Sequence, residues 1–153
     1  MDRGALAEIE RLEAAGDINN PRYMELLLPN HCVQHILRMP LADWPDPVNR
    51  AFARLNYRLY TLMQGPSELG ASGRLVDWDR TADLYRIEVP TLVIGATYDS
   101  MDPVHMETMA GSIPGARFHL CRNGSHMCMY DDQPSYFDAL VGFIQDTVEA
   151  SRR

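Results

Sequence analysis

The stretch Thr91-Leu92-Val93-Ile94-Gly95-Ala96-Thr97-Tyr98-Asp99 decides the fold class of this chain. Four apolar or β-branched residues in a row read as a short strand buried on both faces. Pro90 stands before it and closes whatever precedes. Asp102-Pro103 follows, an N-cap and first-turn pair that opens a helix to about residue 112. Ile113-Pro114-Gly115 then turns the chain into a second strand over 116–121. A last helix follows Gln133-Pro134, with Phe137, Leu140, Val141, Ile144 and Val148 as its apolar stripe. Strand, helix, strand, helix is the order of a parallel sheet with a crossover connection. Two strands alone make a marginal sheet. The expectation is therefore an incomplete sheet whose neighbouring strands lie in residues not included here.

Upstream, the pattern is helical. Leu6, Ile9 and Leu12 recur at helical spacing. Asn20 and Pro21 mark the start of a second helix to Leu28, and Pro29-Asn30 punctuates the chain before a third over 31–39. Residues 40–47 hold three prolines and read as a loop. Asp46-Pro47 opens a longer helix with Phe52, Leu55, Leu59 and Met63 on one face, ended by Gly65-Pro66. The predicted organisation is α/β in class, with an all-helical part over 1–73 and an α/β part over 74–153.

With 153 residues, 46% hydrophobic and 23% charged, the chain has the makeup of an ordinary globular domain. A formal net charge of -7 argues against a nucleic-acid partner. No apolar run reaches the roughly 20 residues that span a bilayer, and the N-terminal residues have no apolar signal segment. Three cysteines, Cys32, Cys121 and Cys128, show no framework spacing. Reduced thiols and a cytoplasmic setting are expected.

Functional groups of open parallel sheets collect beyond the carboxyl ends of strands. Asp99 falls there after the first strand. His126, in Asn123-Gly124-Ser125-His126, falls there after the second. Each alone reads as a loop residue. Together they form an acid–histidine pair at one sheet edge, in the chain order of the α/β-hydrolase triad. The acid would fix the imidazole tautomer, and the other ring nitrogen would serve as general base. No Gly-x-Ser-x-Gly elbow is present. Gly65-Pro66-Ser67-Glu68-Leu69-Gly70 is one residue too long and has no strand before it. His31, Cys32 and His35 have helical spacing for a metal, but no fourth ligand is evident, so a plain helix face is expected and no metal.

Several segments together resemble the proline iminopeptidase family. They are Gly65-Pro66-Ser67-Glu68-Leu69, Val76-Asp77-Trp78-Asp79, the run from Val89-Pro90 to Asp99, and Asn123-Gly124-Ser125-His126-Met127-Cys128-Met129-Tyr130-Asp131-Asp132. The helical part, with Asn30-His31-Cys32 and Asp43-Trp44-Pro45-Asp46-Pro47, is similar to that family's cap. The resemblance implies the C-terminal part of an α/β-hydrolase fold preceded by a helical cap. It implies a serine aminopeptidase or amino-acid amidase as the complete protein, with Asp99 as triad acid and His126 as triad histidine. It also implies Glu68 as the carboxylate that binds the substrate's α-amino group. No cofactor is implied. The nucleophilic serine and oxyanion hole have no counterpart here, so the chain alone is expected to be inactive. Ser100 departs from the family, which often has a glutamate there; that leaves room for an amidase. The expected partners are a small peptide or amino-acid amide, and the missing N-terminal part or another copy of the chain. A non-catalytic, self-associating remnant is the alternative. An esterase, epoxide hydrolase or dehalogenase of the same superfamily would share the acid and the histidine.

Overall fold

Asp2 begins the ordered chain by capping a helix: its carboxylate accepts from Ala5 N–H at 2.9 Å. Residues 1–152 are described, in a computed structural model. Helix α1 (Arg3–Ala14) buries Ala5, Ile9 and Leu12, residues spaced to share one face. Asn20 caps α2 (Pro21–Leu27), with Pro21 in its first turn, as the sequence predicts. Tyr23, Leu26 and Leu27 of α2 are buried, and α1 and α2 pack together.

Beyond α2 the structure departs from the expected break at Pro29-Asn30. The chain runs straight into a π-helix, Leu28–Ile36, that contains both residues. The predicted long helix from Asp46 is two helices, α3 (Asp46–Ala53) and α4 (Tyr57–Met63). Asn56 explains the break: its side chain accepts from Leu59 N–H at 3.1 Å and caps a new helix. Trp44 and Phe52 pack with ring centroids 5.5 Å apart and ring planes tilted by 43°. Short 3₁₀ segments occupy Leu41–Asp43 and Thr81–Arg86.

The α/β part follows the predicted order. Strand β1 (Leu92–Ala96), α5 (Pro103–Ser112), β2 (Arg117–Cys121), the short α6 (Cys128–Asp131) and α7 (Gln133–Ala150) succeed one another. The strands are parallel, with Leu92 opposite Arg117 and Ala96 opposite Cys121. Asp102 caps α5 by accepting from Val104 N–H. Both α5 and α7 pack on the strands. Ala96, Cys121 and Cys128 form the buried centre, with Ile94 and Tyr136 against it. Gly95 sits in a tight place, since a Cβ there would lie 3.2 Å from the Phe118 ring, which would have to give way.

Helix α7 leaves much of its apolar stripe in solvent. No residue of this helix is fully buried. Phe137, Val141, Ile144 and Val148 of the predicted stripe are 45%, 47%, 50% and 44% exposed. An apolar stripe shows that a helix has a face to bury, and here much of that face is open while Leu140 is half-buried.

The chain divides into two compact units: Met1–Gln34 with Arg38–Trp78, and His35–Leu37 with Asp79–Arg153. The three residues His35–Leu37 thus group with the α/β part, although they lie far from it in sequence.

Candidate functional site

Pairing between the strands continues past their ends and draws two loops together. Thr97 N–H donates to Cys121 O at 3.1 Å, and Tyr98 N–H to Gly124 O at 3.1 Å. Asp99 ends the first loop and His126 the second. His126 Nδ1 lies 3.0 Å from Asp99 Oδ1. A carboxylate only accepts, so Nδ1 carries the proton and donates. Asp99 Oδ1 also accepts from Met101 N–H at 2.9 Å and from the Ser100 hydroxyl at 3.4 Å.

Exposure separates the two partners: the Asp99 side chain is 7% exposed and that of His126 is 32% exposed. Burial by itself would raise the Asp99 pKa. The hydrogen bonds from His126 and Met101 and the His126 charge outweigh it, and the carboxyl is held below its ordinary range. Asp99 is therefore ionised at neutral pH. The arrangement can do two things: fix one imidazole tautomer, and stabilise positive charge on the ring.

The loop carrying His126 is fastened from both ends. Ser125 is fully buried. Its hydroxyl meets Ile36 O at 3.0 Å and forms a very short contact with Asp131 Oδ2. Asp131 Oδ1 accepts from Ser125 N–H at 3.0 Å, and Asp132 Oδ2 accepts from Asn123 N–H at 3.1 Å. Gly124 is a forced choice, since a Cβ there would lie 2.6 Å from Cys128 Cβ. The sequence motif includes Asp131 and Asp132, but sequence reasoning gave them no role. The signal was a pair of acids a short distance beyond a Gly-Ser turn, just ahead of a helix.

Ser125 and the two cysteines near the pair are poorly placed to attack a substrate. Ser125 is buried and engaged, so adjacency to His126 in sequence gives it no such role. Cys121 and Cys128 are buried free thiols, and burial pushes Cys128 up to about 12.

Glu68 lies in the other compact unit, exposed, in the loop after α4. Burial, and then the Glu68 charge, push the Tyr60 phenol up to about 12. The neighbouring Cys32 thiol is pushed to about 11 by burial and then by Glu68. The loop is anchored beside Glu68: Ser67, itself buried, donates to Glu13 Oε1 at 3.0 Å. Tyr23 donates to the same oxygen at 2.6 Å. His31 and His35 sit in the π-helix. Among the described residues no cluster of three or more His, Cys, Asp or Glu could hold a metal ion. Among them, too, no helix is long and apolar enough to cross a membrane.

Comparison with known proteins finds relatives of this chain. No family model matches the chain. A proline iminopeptidase of Flavobacterium johnsoniae is 51% identical over 141 residues, 92% of this chain and 47% of that protein. One from Elizabethkingia meningoseptica is 50% identical over 148 residues, 95% of this chain and 49% of that protein. The chain thus spans about half the length of the curated relatives it matches. Among solved structures, VinJ superposes with a TM-score of 0.85 at 22% identity, over 96% of this chain and 49% of VinJ. A proline iminopeptidase of Mycobacterium smegmatis superposes at 0.67 with 28% identity, over 98% of this chain and 50% of that one. The fold is that of the α/β-hydrolases. The resemblance read from the motifs is borne out, and it covers the C-terminal half of these relatives.

Proposed function

We propose that this relative of the proline iminopeptidases is the cap and C-terminal portion of a serine hydrolase that releases N-terminal residues, proline preferred, from peptides or hydrolyses amino-acid amides. The observation that carries the reading is the Asp99–His126 pair, 3.0 Å apart beyond the ends of two parallel strands. In this reading residues 1–73 form the cap and residues 74–153 the C-terminal part of the hydrolase domain.

The chemistry follows from the pair. A serine outside these residues attacks the substrate carbonyl. His126, held by Asp99 through Nδ1, takes the serine proton on Nε2 and returns it to the leaving amine. Asp99 stabilises the imidazolium formed between those steps. Glu68, on the cap, reads the substrate's free ammonium; a carboxylate is the natural partner for that charge. With Ser100 where many of these enzymes place a second acid, amino-acid amides are admitted alongside proline peptides.

The exposed part of the α7 stripe favours a second component. Phe137, Val141, Ile144 and Val148 would be covered by the N-terminal part of a hydrolase domain or by another copy of the chain. Without that component the nucleophile is absent, and covalent catalysis with it. The isolated chain should leave proline p-nitroanilide intact. Turnover by the isolated chain that His126→Ala abolishes would place the nucleophile within these residues and refute the proposal.

A further inference from the structure

His35 was singled out in the sequence only as a metal candidate, and it has a different place in the molecule. It belongs to the three-residue segment that groups with the α/β unit. Its ring Nδ1 lies 3.0 Å from Tyr98 O. The carbonyl can only accept, so Nδ1–H donates. Its own carbonyl accepts from His126 N–H at 2.9 Å. One residue therefore touches both loops, next to Asp99 through its side chain and at His126 through its backbone. The neighbouring Ile36 carbonyl accepts from Met127 N–H at 2.8 Å and meets the buried Ser125 hydroxyl.

We infer that His35 is a positioning residue for the Asp99–His126 pair: its imidazole pins the acid loop to the segment that holds the histidine loop. This rests on the proposed role of that pair. The two loops leave different strands, and their separation fixes the Nδ1–Oδ1 distance. Hydrogen bonds lose strength quickly as that distance and angle drift. The link passes through a segment that precedes α3 and α4 in the chain.

The test uses the 153-residue chain and reads no turnover, so it stands or falls separately from the hydrolase reading. Water exchange of the His126 Nδ1 proton is measured by ¹⁵N-edited NMR in the unaltered chain, His35→Ala, His35→Asn and His35→Gln. An asparagine amide nitrogen falls near the place of Nδ1, and a glutamine amide nitrogen does not. Loss of one hydrogen bond should speed exchange roughly fivefold in His35→Ala and His35→Gln. His35→Asn should return it to the unaltered rate. A uniform loss of stability would not split Asn from Gln, and should His35→Ala fail to fold, the Asn–Gln comparison decides alone. Equal exchange in Asn and Gln, or an unchanged rate in His35→Ala, would overturn the inference.

Discussion

Replacing Ser125 by alanine removes one buried hydroxyl and almost no volume, so its effect isolates the clamp on the His126 loop. Ile36 O keeps a donor, because Met127 N–H still reaches it at 2.8 Å. Asp131 Oδ2 loses its serine partner, while Oδ1 keeps Ser125 N–H at 3.0 Å. A hydrogen bond to a charged group contributes about 1.5–3 kcal/mol, so a loss of about 2 kcal/mol is expected. In a chain of this size that is a Tm lower by about 4–8 °C. Urea unfolding followed by circular dichroism should show a lower midpoint with an unchanged slope. Ser151→Ala is the control. Its exposed hydroxyl only bonds back to Thr147 O at 2.9 Å, and its removal should change stability by less than about 0.5 kcal/mol. A Ser125→Ala loss no larger than the control would refute the clamp.

Acid should act through Asp99. Its folded pKa is depressed, so its stabilising contribution is in place above the unfolded value, about 3.9, and disappears as pH falls through the lower folded value. Asp99→Asn should therefore be less stable than the unaltered chain at pH 7, with the gap closing in strong acid; a gap independent of pH would contradict this. Glu68→Gln, placed in a fusion that supplies a nucleophile, should lower kcat/KM on amine-bearing substrates about 30-fold while sparing simple esters. An equal loss on both would remove the amine-recognition role.

Much of the site-bearing part was legible because its signals are local. Pro90, the apolar run after it and Asp102-Pro103 bracket β1 and α5 with backbone chemistry alone. Asp99 and His126 could be placed at one sheet edge because parallel strands put their carboxyl ends together. The helical part was less legible. Leu55 and Leu59 continue an apolar face across a real break, and Asn56, the capping residue, was hidden inside that pattern. The π-helix escaped because its period is not the one that apolar spacing reveals. The attachment of His35–Leu37 to the α/β unit depends on contacts with residues 98 and 125–127, which no local pattern encodes. The α7 stripe was legible as an apolar face, but a stripe says nothing of what covers it.

The central claim is that Asp99 and His126 are the acid and base of a serine hydrolase. It is tested most directly by a fusion in which this chain replaces the matched C-terminal half of the Flavobacterium johnsoniae enzyme, assayed on proline p-nitroanilide. The account predicts turnover in the fusion, and a fall in kcat of about 10⁶ in His126→Ala and about 10⁴ in Asp99→Asn. A fusion that turns over equally well with either residue replaced would contradict it.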